Sequence, residues 1–176
     1  MSSSSSSSGN IEAALASFEN AKDAAVQRLS DWLSIPSVST RSEHAEDCRR
    51  AGMWLVEQLR ELEFGVHLRS TAGHGIVRGS WPTGGEREAG DERPHVLFYG
   101  HYDVQPPEPI EDWTSPPFEP AIEDGPNGPR IVARGATDDK GQVMMFVEAL
   151  RAWKQATGDI PCPVTLLVEG EEECGS

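Results

Sequence analysis

Two short apolar runs in this chain each stop at a cluster of acid, and that pattern limits what the chain can fold into. Val96-Leu97-Phe98-Tyr99 leads into Gly100-His101-Tyr102-Asp103-Val104-Gln105-Pro106. Val164-Thr165-Leu166-Leu167-Val168 leads into Glu169-Gly170-Glu171-Glu172-Glu173-Cys174-Gly175-Ser176. Continuous apolar runs of this kind predict strands buried on both faces. Helical stripes alternate with them. Ile11, Leu15, Phe18, Ala25, Leu29 and Trp32 predict a helix over roughly 11–33, with Pro36 beyond its end. Cys48, Gly52, Leu55, Leu59 and Leu62 predict a second helix, stopped at Gly65. Val143, Phe146, Val147, Leu150 and Trp153 predict a third, from Asp139 to about Ala156. Val66 to Leu68, Ile76 to Val77 and Ile131 to Ala133 read as shorter strands. Trp81 to Arg93 and Gly100 to about Arg130 read as loops, from their glycine, proline and charge. Helices alternating with apolar strands predict an α/β fold with a largely parallel sheet flanked by helices.

The 176 residues suit one domain or part of a larger one. A formal net charge of -14 argues against nucleic acid and membrane as partners, since both favour a basic surface. No apolar run reaches the about 18 residues of a membrane span. The serine tract from Met1 to Gly9 lacks the pattern of a secretory signal, and residues 1–10 read as a disordered tail. Cys48, Cys162 and Cys174 are odd in number and far apart, which points to a reducing compartment, most simply the cytoplasm.

The acidic clusters carry the chemistry. In the first, His101 and Asp103 stand two apart at a strand end, where α/β folds build sites. A carboxylate beside an imidazole fixes its tautomer and suits it to bind metal. His-x-Asp is also a short, common pattern, equally at home on an ordinary surface. The second cluster is Arg134-Gly135-Ala136-Thr137-Asp138-Asp139-Lys140-Gly141. There Asp139 reads as a helix cap and Asp138 as a turn residue or a hard metal ligand. The third is the glutamate run after Val168. Such runs are usually solvated, but the end of a buried strand is a poor place for one. Gathered carboxylates are stabilised by cations, and His plus carboxylate suits zinc, with manganese or cobalt as alternatives. His44, His67, His74 and His95 show no ligand spacing and read as structural. Trp113 and Phe118 read as packing residues, and Lys140 as a helix-start residue.

With these residues in view, the chain resembles the co-catalytic zinc exopeptidases that include carnosinase-type dipeptidases, carboxypeptidase G, aminoacylase and succinyl-diaminopimelate desuccinylase. The match runs through Ile35-Pro36-Ser37-Val38-Ser39, the His101 cluster, Trp113 with Pro117-Phe118-Glu119-Pro120, the Asp138 cluster and the Glu172 cluster, in order. It covers the chain from about Ile11 onward, and the dipeptidase branch is nearest. The resemblance implies that residues 11–176 are the N-terminal portion of a catalytic domain. It implies two zinc ions, with His101 binding one, Asp138 bridging both and Glu173 binding the second. Asp103 would hold His101 in place, Glu172 would be the general base, and the Asp138–Asp139 peptide would be cis. The implied substrate is a small peptide or N-acyl amino acid, cleaved at its amide bond by dipeptidase- or carboxypeptidase-like hydrolysis.

Family members run well past residue 176. They add another acidic ligand, a distant histidine and a lid domain through which a homodimer forms. This chain alone is therefore expected to hold only part of each metal site, to be inactive and to expose a sheet edge. Cys174 stands where dipeptidase-like members often carry serine. Two other readings compete with the enzyme. One is a non-catalytic family member acting as a binding module, and the other is a short product acting through protein contacts.

Overall fold

The computed structural model describes residues 3–84 and 91–175, with side chains from Ser8 onward. Helix α1 (Ser3–Leu33) starts earlier than expected and reaches into the serine tract read as a tail. Once a helix is nucleated, each added residue gains a hydrogen bond, and serine is a tolerable helix former. Helix α2 (Ala45–Glu61) turns Cys48, Ala51, Gly52, Leu55, Val56 and Leu59 to the interior, at helical spacing. Helix α3 (Lys140–Thr157) stops at Gly158, which adopts the left-handed φ of 79° that glycine accepts without strain. No described helix is long and apolar enough to cross a membrane.

Strands β1 (Gly65–Arg69), β2 (Ile76–Trp81), β3 (Val96–His101) and β6 (Val164–Glu169) form a sheet in the order β1-β2-β6-β3. A separate hairpin joins β4 (Ala121–Gly125) to β5 (Gly128–Val132). The α/β class holds, but the sheet is mixed rather than largely parallel. Among the described strands of this sheet, β1 pairs β2 and β2 pairs β6 antiparallel, and β3 pairs β6 in parallel. Parallel strands require a crossover connection; α3 supplies one between β3 and β6, whereas β1 and β2 are joined by a short turn that makes them antiparallel. The expected loop beginning at Trp81 starts where β2 ends, and residues 85–90 of it lie outside the described residues.

The core lies between this sheet and the helices. Val77, Val164, Leu166 and Val168 meet Trp32, Leu55, Leu59, Val143 and Val147 there. Phe98 stacks on Phe146 of α3 at 4.2 Å between ring centroids. The opposite side chains of β3, Leu97 and Tyr99, are 63% and 59% exposed, so this strand is not buried on both faces as expected. Alternation along a strand sends neighbours to opposite faces, and the described helices cover only one of them.

Candidate metal centre

The parallel pairing of β3 and β6 brings two acidic clusters together. Their register sets His101 beside Glu169, so both strands deliver their carboxyl ends to the same edge of the sheet. His101 is the last residue of β3 and is buried. Its Nε2 lies 3.1 Å from Asp138 Oδ1 and 3.9 Å from Glu172 Oε2. Ligand atoms of His101, Glu172 and Glu173 all lie within 4.8 Å of one another, the only such group of three among the described residues.

The other side of the imidazole is braced. Nδ1 is 3.1 Å from the Asp103 carbonyl oxygen and 3.3 Å from Asp103 Oδ1. The backbone N–H of His101 donates to Asp139 Oδ2 at 3.1 Å. Gly100 makes that bond possible, because a Cβ there would come within 2.6 Å of the same oxygen. The Asp138–Asp139 peptide is cis. On the glutamate side, the Glu173 N–H donates to Asp103 Oδ2 at 3.0 Å, and Gln105 Nε2 donates to Glu173 Oε2 at 2.5 Å.

Electrostatics follow from this crowding. Burial disfavours a charged imidazole at His101, but the bond to Asp103 and the charges of Asp103 and Asp139, with the bond to Asp138, outweigh it. The pKa is pushed up to about 9. Burial likewise disfavours a charged Asp103. The His101 imidazole facing it, with bonds from Ser39 and the Glu173 N–H, overcomes that and holds its carboxyl below the usual range. Burial raises the Asp139 carboxyl, which caps nothing by its side chain and instead fixes the His101 backbone. The pocket thus favours positive charge. One imidazole nitrogen and several carboxylate oxygens are a donor set that fits a borderline-hard divalent cation.

All five residues singled out in the sequence meet in this pocket. Their grouping differs in one respect: the closed group of three contains Glu172, whereas Asp138 touches the imidazole from an exposed position. The remaining histidines lie apart from the pocket's donor group. His44 pairs with Asp47 at 2.8 Å, and His95 faces Thr165 Oγ1 at 2.9 Å. An apolar groove of about 440 Å³ between α1 and α3, lined by Leu15, Phe18, Met144 and Met145, offers no comparable donor set.

Residues 97–176 match the model of Peptidase family M20/M25/M40. That segment is a Peptidase M20 family domain. It is 35% identical over 149 residues to a cysteinylglycine-S-conjugate dipeptidase of Corynebacterium striatum, covering 85% of this chain and 30% of that protein. It is 31% identical over 159 residues to the Cys-Gly metallodipeptidase dug1 of Schizosaccharomyces pombe, covering 88% and 33%. Among solved structures it resembles human carnosine dipeptidase 1, with a TM-score of 0.80 at 25% identity over 94% of this chain and 35% of that one. The chain therefore spans about a third of the length of the curated relatives it matches.

Several supports of this M20 site escaped sequence reasoning. Lys140 is wholly buried, and its ammonium donates to the carbonyls of Trp32 at 3.0 Å and Ile35 at 2.8 Å, tying the acidic loop to the end of α1. Burial lowers its pKa to about 7. One signal was available: a cation in the first turn opposes the helix dipole, so Lys140 needed another reason to be there. Tyr102 passes beneath the glutamate loop and donates to the Gly75 carbonyl at 2.6 Å. Gly170 leaves room for it, since a Cβ there would lie 2.3 Å from the Tyr102 hydroxyl.

Proposed function

We propose that the parent protein is a metal-dependent hydrolase that cleaves the amide bond of dipeptides or N-acyl amino acids. The observation that carries this reading is the convergence of His101, Glu172 and Glu173 within 4.8 Å at the adjoining ends of β3 and β6. Membership of a peptidase family supports it, and so do the dipeptidases among the relatives.

In this reading His101, Asp138 and Glu173 would hold two zinc ions, Asp138 serving both, with manganese or cobalt as alternatives. Bound there, the ions supply a water that ionises near neutral pH and a Lewis acid for the scissile carbonyl. Glu172 takes a proton from the attacking water and returns it to the leaving nitrogen, base first and acid second. Its exposed position, with Oε2 3.9 Å from His101 Nε2, leaves it free to reach a substrate. Asp103 does not touch the substrate; from 3.3 Å it holds the ring so that Nε2 faces the ions. Three ligating side chains give each of two metals only two protein ligands, and catalytic zinc sites usually have three. Residues 1–176 alone are therefore expected to be inactive.

The test uses the full-length parent. Glu172→Gln should lose turnover of dipeptides while zinc content, read by atomic emission, stays at the wild-type value. Undiminished turnover removes Glu172 as the base. Loss of zinc together with activity makes Glu172 a ligand, as its place in the group of three would allow.

A further inference from the structure

The carboxylate of Asp103 faces two elements of the site at once, and a third residue decides how it is turned. Asp103 is fully buried. Its Oδ2 accepts two hydrogen bonds, one from the Ser39 hydroxyl at 2.6 Å and one from the Glu173 N–H at 3.0 Å. Its Oδ1 accepts none and faces His101 Nδ1 across 3.3 Å. A carboxylate free to rotate would offer either oxygen to the imidazole. Two donors on Oδ2 remove that freedom and commit Oδ1 to the ring.

Ser39 is itself held. Ser37 Oγ donates to the Tyr102 carbonyl at 2.7 Å, and the Val104 N–H donates to the Ser37 carbonyl at 3.0 Å. Val38 and Val104 form a parallel bridge. The strip Ser37-Val38-Ser39 is thus laid along Tyr102-Asp103-Val104. His74 Nε2 meets the Ser39 carbonyl at 3.0 Å from the other side. The bonds at Ser37 and the Val38 bridge fix the strip that leads into Ser39, the His74 contact holds the Ser39 carbonyl, and the Ser39 hydroxyl is left aimed at Asp103. Serine is also 8% exposed here, so water does not readily replace the hydroxyl.

We infer that Ser39 is a positioning residue that locks Asp103, and through it sets both the ring of His101 and the backbone of Glu173 for metal binding. This rests on the reading of His101 and Glu173 as ligands. Partners of this kind change metal affinity without touching the metal.

The test compares Ser39→Ala and Ser39→Thr in the full-length parent with two readouts. The first needs no metal: solvent exchange of the His101 Nδ1–H proton, followed by NMR. Ser39→Ala should speed that exchange about threefold or more, because a carboxylate free to turn no longer holds its charge against the Nδ1–H, which keeps its bond to the Asp103 carbonyl. Ser39→Thr keeps the hydroxyl and should restore the wild-type rate. The second readout is cobalt affinity from its visible absorption, which Ser39→Ala should weaken about 10–100-fold. Unchanged proton exchange in Ser39→Ala overturns the inference. So does equal damage from alanine and threonine, which would mark a steric role. If Ser39 controls the proton but the unsubstituted full-length parent binds no cobalt, the ligand reading fails and the Ser39–Asp103 lock stands.

Discussion

The two sides of the acidic pocket are built on opposite principles. On one side His101 and Asp103 are buried, at 6% and 0% exposure, and each is fixed by the backbone or by buried donors. On the other, the side chains of Asp138 and Glu172 are 68% and 42% exposed. The buried side depends on the fold for its geometry and in turn supports the fold. The exposed side chains are not enclosed by the fold and have room to rearrange. A site of this kind has one rigid wall and one adaptable wall. Substitutions on the two sides should therefore separate cleanly in their effect on stability.

The largest effect is expected at Asp103. Asp103→Ala strips the acceptor from Ser39 and from the Glu173 N–H and removes the buried carboxylate that faces His101 Nδ1. Breaking a buried ion pair costs about 3–5 kcal/mol, measurable by urea unfolding of the 176-residue chain. Lys140→Met should come next. It removes two hydrogen bonds from a charged donor to the end of α1, at about 1.5–3 kcal/mol. Gly170→Ala forces a methyl group against Tyr102 and should cost about 1–3 kcal/mol, the range for overpacking. Glu172→Gln should be smallest, within about 0.5 kcal/mol, because it changes an exposed residue. If Glu172→Gln destabilised the chain as much as Asp103→Ala, the contrast between rigid and adaptable walls would be wrong. A sharper version adds cobalt. Saturation at 100 times Kd should stabilise the unsubstituted chain by about 2.7 kcal/mol, and Asp138→Asn should lose most of that gain while its metal-free stability is unchanged.

Much of this was legible in the chain itself. Val96–Tyr99 and Val164–Val168 were recognisable as strands from their apolar runs, and the acid that follows each marked the strand ends as a site. The helical stripes of α2 and α3 were equally plain. The strand β4 was not, because residues 121–125 alternate weakly and sit in a proline-rich stretch. The Asn127-Gly128 pair was the available hairpin signal there, and Gly128 does adopt a positive φ of 108°. The burial of β3 was overestimated, because a run of apolar residues shows that a strand is apolar but not how many of its faces are covered.

Residue types and their order along the chain determined the local chemistry: apolar strands, a histidine two residues before an aspartate, and carboxylates placed where strands end. These are short-range facts, set by neighbours in sequence. Only the tertiary structure decided that β3 and β6 lie side by side, that Ser39 reaches Asp103 across 64 positions, and that Lys140 turns inward to α1. Such contacts depend on which packing of the helices on the sheet buries the most apolar surface, and that is a property of the whole chain rather than of any segment.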